Sequence, residues 1–132
     1  MRMILTALIF LLGLFDLLMA LNFLFNPAPT ALGFGLTADG AQGLSTLRAE
    51  FTAFFGVTAV CMMLGAWRRN GDLLLIPAAL MATSLVVRGI SLGIDGTYPG
   101  WQVLMAVELA HVVLLVAAWR VLPHHRIEEL TG

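Results

Sequence analysis

The chain has no lysine, a single tyrosine and a single cysteine among 132 residues. One cysteine excludes an intramolecular disulfide, and Cys61 lies inside an apolar run, where its role is that of a small core hydrophobe. Charge is scarce as well: 11% of the residues are charged against 60% hydrophobic, with a mean hydropathy of +0.94. Soluble domains carry roughly 25% charged residues. This composition excludes an ordinary water-soluble fold, and the length excludes a second domain. A formal charge of −1, with no basic patch interleaved with aromatics, gives nucleic acid no footing. Glycine-rich phosphate loops, a nucleophile elbow and a Ser-His-Asp order are also missing.

What the sequence does have is four apolar stretches, Met3 to Phe25, Ser45 to Trp67, Leu73 to Ile94 and Trp101 to Leu122. Each matches the roughly 20 residues of helix that cross a hydrocarbon core about 30 Å thick. Asn26-Pro27-Ala28-Pro29 stops the first, since proline lacks a backbone donor and restricts its predecessor. The short polar turns Arg68 to Asp72 and Gly96 to Gly100 make the last three helices antiparallel neighbours, and Pro123 closes the fourth. Trp67, Tyr98, Trp101 and Trp119 fall near helix ends, the level that amphipathic rings prefer. The fold class read from this pattern is all-α, one integral membrane antiparallel four-helix bundle over residues 1–132. Segment 28–44 is too apolar for a solvated linker and is expected to lie over the mouth of the bundle as an interfacial connector.

Arginine sets the orientation. Arg2, Arg68, Arg69, Arg120 and Arg126 share one side of a four-span topology, which places both termini in the cytoplasm. The Arg2-led apolar start has the look of a signal peptide, but Asp16 interrupts it and no good cleavage site follows, so it reads as a retained helix. His124 and His125 read as a solvated pair in the tail.

Seven ionisable residues lie within or at the edge of the spans: Asp16, Arg48, Glu50, Arg88, Asp95, Glu108 and His111. An ionised group at the centre of a lipid-facing helix costs roughly 2.5–3.5 kcal/mol on insertion scales, so these groups are expected to face one another or a wet cavity. At about 1.5 Å per residue, Arg88 and Glu108 lie about 10 Å below the outer surface, Asp16 about 13 Å and His111 about 15 Å. Arg48 and Asp95 are expected close to that surface. Helical spacing puts Glu108 and His111 on one face and Met81, Ser84, Arg88, Ser91 and Asp95 on one stripe, whereas Arg48 points away from Glu50. Four acids against two arginines leave two acids over, which a proton, a charged His111 or a bound cation must balance.

In order along the chain, Asn26-Pro27, Gly33, Leu47-Arg48-Ala49, Phe55-Gly56, Arg88 seven residues before Asp95-Gly96, and Glu108 resemble a family of small bacterial four-helix integral membrane proteins classed as a domain of unknown function. The resemblance spans about Phe10 to Trp119. It departs at Ser45-Thr46, where the family carries Glu or Asn, and at Phe55-Gly56-Val57, where a tyrosine often precedes two glycines. It implies a bundle with polar positions in this order and a bacterial inner-membrane location. It implies no activity.

The seven residues therefore form a candidate ligand-binding set for a membrane lipid or other amphipathic small molecule. Arg48 and Arg88 are expected to hold an anionic or carbonyl head, and Glu50 or Glu108 a hydroxyl. A structural or accessory subunit, whose charges only fix helix packing, is the first alternative, with a homodimer or another membrane protein as partner. A lipid-modifying enzyme using Glu108 or His111 as acid-base is the second, and ion or proton translocation the third. Glu108-Leu-Ala-His111 has the Glu-x-x-His step of di-iron bundles, but such sites need that step on two helices and it occurs once, so no metal and no cofactor is expected.

Overall fold

A computed structural model describes residues 1–124. Arg126, used above for orientation, and His125 lie outside the described residues. Five α-helices follow one another: α1 (Arg2–Phe25), a short α2 (Pro27–Leu32), α3 (Gly40–Trp67), α4 (Leu75–Asp95) and α5 (Trp101–Val121). A single 3-10 turn over Asp72–Leu74 leads into α4. The described residues contain no strand. With that turn counted into α4, four of these segments are long and apolar enough to cross a membrane.

The connector departs from expectation. Residues 28–44 are not one interfacial piece: α2 turns directly out of α1, and α3 begins five residues earlier than the apolar pattern suggests. Pro27 sits at the first position of α2, where its missing N–H costs nothing. Thr30 Oγ1 donates to the Asn26 carbonyl at 2.6 Å, bracing the corner. Gly43 weakens helix propensity but provides clearance, since a Cβ there would come within 3.2 Å of the Ala38 backbone. At the opposite end, α3 closes on Arg69 in the left-handed region (φ 52°), with Asn70 N–H donating to the Gly65 carbonyl at 2.9 Å. The turn between α4 and α5 needs glycine at both Gly96 (φ 91°) and Gly100 (φ 85°).

α1 packs most extensively on α3, and α4 on α5; these two pairs meet more sparingly, through α1 with α5 and α3 with α4. Antiparallel register between α1 and α3 is fixed where Thr52 Oγ1 donates to the Ala20 carbonyl and Arg48 Nε to the Leu24 carbonyl. Gly13 allows the closest approach, lying against Met62, Met63 and the Ala59 carbonyl. Two apolar clusters form the interior. At the end holding the N terminus, Ile9, Met62, Ala66, Leu74, Leu115 and Ala118 pack together. At the connector end, Phe23 stacks on Phe51 (ring centroids 4.6 Å apart) and meets Phe34 of the connector at 5.5 Å. Large apolar side chains such as Leu11, Leu18, Ile90, Val103 and Val113 point outward from the long helices, an arrangement suited to lipid contact.

Candidate functional site

Between the two apolar clusters lies a layer of ionised and polar side chains. Asp16 on α1 and His111 on α5 are fully buried, with Asp16 Oδ2 3.1 Å from His111 Nε2. The other ring nitrogen, Nδ1, lies 2.8 Å from the Val107 carbonyl. A carbonyl only accepts, so Nδ1 carries a proton, and the short contact at Nε2 needs a second proton shared with Asp16. Whichever heavy atom holds that proton, the pair is neutral as a unit. Asp16 Oδ1 is buried without a hydrogen-bond partner among the described residues.

Arg88 on α4 and Glu108 on α5 form the second pair. Arg88 Nη2 donates to Glu108 Oε1 at 2.8 Å, and Nε lies 3.1 Å from both carboxylate oxygens. Ser84, one turn before Arg88, donates to Glu108 Oε1 at 2.7 Å, while Arg88 Nη1 donates to the Tyr98 hydroxyl oxygen at 3.2 Å. Each of the three guanidinium nitrogens thus makes at least one hydrogen bond. Arg88 faces another ionisable group, as expected, and the acid it meets is Glu108 across the helix pair, not Asp95 on its own helix.

These groups line a cavity of about 550 Å³ between the helix pairs. Its polar lining is Asp16, Glu50, Ser84, Arg88, Glu108 and His111. Its apolar walls include Phe15, Phe34, Phe51, Phe54 and Phe55, with Met19 and Met81. Phe34 brings the connector to the cavity. Glu50 sits exposed on the lining, with no hydrogen bond or ion pair to any described side chain.

Two of the seven candidate residues stand elsewhere. Arg48 is eight residues into α3, not at its start, because the helix begins at Gly40. Its Nε donates to the Leu24 carbonyl at 2.8 Å, satisfying one of the orphan acceptors at the end of α1. It lines a separate shallow groove with Leu24, Ser45 and Thr52. Asp95 is exposed at the end of α4 and accepts from Ser91 Oγ at 2.7 Å. Neither lines the cavity. Of the two surplus acids expected, Asp95 is therefore outside, and Glu50 alone is left on the cavity.

Sequence reasoning did not single out Phe51 as a wall residue or Tyr98 as a partner of Arg88. Phe51, next to Glu50, was visible as part of an aromatic run through Phe55; Phe34 belongs to the segment expected over the bundle mouth, but its place in the wall depends on how α2 folds back. His124 is exposed, as expected, and its Nδ1 also lies 2.8 Å from Asp72 Oδ1, with its ring 5.6 Å from that of Trp119. A second cavity of about 600 Å³ opens at the opposite end, beside Arg2, Phe10, Trp67 and Arg69. It gathers no acid, and the site chemistry is elsewhere.

Glu108 and His111, the candidate acid-base residues, are each held by partners: Glu108 by Arg88 and Ser84, His111 by Asp16 and Val107. This divides the Glu-x-x-His step between two different ion pairs. Among the described residues no three His, Cys, Asp or Glu side chains converge as a metal-holding group. Comparison with family models, with curated proteins and with solved structures finds no match to this chain.

Proposed function

We propose that this chain is a multi-pass protein of a bacterial inner membrane, with both termini in the cytoplasm, whose cavity binds an amphipathic, lipid-like small molecule. The observation that carries this reading is the cavity between the helix pairs, where phenylalanine and methionine walls adjoin one polar layer. A lipid-facing protein with only structural charges gains nothing by leaving such a volume between its helices. Orientation is supported by Arg2, Arg68, Arg69 and Arg120, which cluster at the end opposite the connector. The family resemblance in the polar positions is part of the same proposal.

The scaffold alternative is favoured by one observation, the mutual neutralisation within Asp16–His111 and Arg88–Glu108. Native mass spectrometry of the full chain released from membranes in a mild non-ionic detergent separates the readings. The expected result is a retained small molecule that disappears when Val107→Trp fills the cavity, with the helical circular dichroism spectrum unchanged. Absence of any retained or added amphiphile in the unsubstituted chain would overturn the binding reading and leave the scaffold.

A further inference from the structure

The charge of the cavity specifies more than an apolar body. Asp16 and His111 share one proton beyond the Nδ1 proton and are neutral together; Arg88 and Glu108 cancel. Glu50 is the one charged group on the lining without a counter-ion among the described residues. The cavity therefore carries a net negative charge. Arg88, the one arginine on the lining, is already paired with Glu108 and donates to Tyr98, and Arg48 faces the other side of α3. An anionic ligand would have to share Arg88 with Glu108 while facing the unpaired Glu50.

The walls point the same way. Glu50 and Phe54 are four residues apart on α3, so carboxylate and ring stand on one face, and both line the cavity. Phe51 and Phe55 flank them on the same lining, and Phe34 faces in from the connector. Phenylalanine rings present a negative face that attracts a cation, most strongly where water is scarce. A carboxylate on the same lining as several such rings, without an ion-pair partner of its own, is a set that recognises an ammonium group.

Resting on the cavity-binding reading, we infer that the ligand is a cationic amphiphile, an alkyl or aryl amine or quaternary ammonium, with its charged head at Glu50 and its apolar body along the phenylalanine wall. Such an occupant balances the cavity charge that the fold leaves open. This replaces the expectation of an anionic head held by Arg48 and Arg88.

The test uses the full chain in a non-ionic maltoside and three additives sharing one apolar body: decyltrimethylammonium and decanesulfonate, each below its micelle concentration, and decanol, below its solubility limit. Binding is read by isothermal titration calorimetry. Decyltrimethylammonium is expected to bind at least about tenfold tighter than decanol, the scale of one charge partner together with adjoining ring faces, and decanesulfonate weakest. In Glu50→Gln that preference should vanish while decanol binding persists, which also reports that the cavity is still folded. Phe54→Leu, which keeps apolar volume but removes a ring face, should weaken the cation several-fold and leave decanol unchanged. Equal or tighter binding of decanol or decanesulfonate in the unsubstituted chain overturns the cation inference and leaves the cavity reading standing. Cation preference that survives Glu50→Gln overturns it too. Failure of all three to bind overturns both.

Discussion

His111 Nε2 on α5 meets Asp16 Oδ2 on α1 at 3.1 Å, a contact between two fully buried groups 95 residues apart. It ties the first helix to the last across the middle of the bundle, where few other α1 to α5 interactions are polar. The contact requires a proton between the atoms, so a substitution that preserves a donor should preserve the link. Asp16→Asn offers an amide N–H to Nε2 and is expected to change stability by no more than about 1 kcal/mol. Asp16→Ala leaves Nε2 buried without a partner and should cost about 1–3 kcal/mol. Thermal unfolding of the detergent-solubilised chain, followed by helical circular dichroism, distinguishes the two; equal losses would mean that the bridge does not hold the helices.

Arg88 links α4 to α5 through Glu108 and to the α4–α5 turn through Tyr98. Arg88→Ala strands Glu108 in the interior with only Ser84 as a partner, and breaking such a pair costs roughly 3–5 kcal/mol. Arg88→Lys retains the charge but not the forked contact, so an intermediate loss is expected. A chain whose thermal midpoint is indifferent to Arg88→Ala would show that the α4–α5 pair stands on apolar packing alone.

Gly13 sets the separation of α1 and α3. A Cβ placed there lies 3.0 Å from Met62 Cβ and 3.3 Å from the Ala59 carbonyl, and neither atom yields without moving a helix. Gly13→Val should destabilise by roughly 1–3 kcal/mol, the usual cost of overpacking. Gly93→Ala is the control: a Cβ at Gly93 meets nothing within 4 Å, and its added helix propensity should leave stability equal or higher. The comparison is read in the same unfolding experiment.

The proposed topology is open to a direct check because Cys61 is the lone thiol. In a Cys61→Ala background, a cysteine placed at Gly40 is expected to react with a membrane-impermeant maleimide in intact cells. One placed at Asn70 should react only after the membrane is opened. The reverse pattern would invert the orientation, and with it the assignment of the polar layer to the outer half.

The four long helices and their stops were legible in the sequence, because apolar length, proline and short polar turns act locally, whereas the short α2 was not. The shared face of Glu108 and His111 was legible too, since a three-residue step on one helix fixes it. Pairing was not. Two acids within helical reach of Arg88 gave no means of choosing between Glu108 and Asp95, because spacing fixes the face of a residue on its own helix but not which neighbour that face meets. The start of α3 was misjudged for a related reason: glycines at positions 40 and 43 read as loop, yet one of them is what lets Ala38 pack against a helix.

By itself the sequence determined that this is an all-helical chain with four segments suited to a membrane, since a composition so poor in charge cannot cover a core with water-facing surface. It also placed Asp16, Arg88, Glu108 and His111 within a few ångströms of one another in height, since position along a helix follows from counting residues at a fixed rise. Only the tertiary structure decided that Asp16 meets His111, that Arg48 turns to the end of α1, and that Glu50 is left unpaired on an aromatic-walled cavity. Those outcomes depend on the rotation of each helix about its axis and on which helices become neighbours. They are set by close packing at points such as Gly13 and the Phe23 cluster, between residues far apart in the chain.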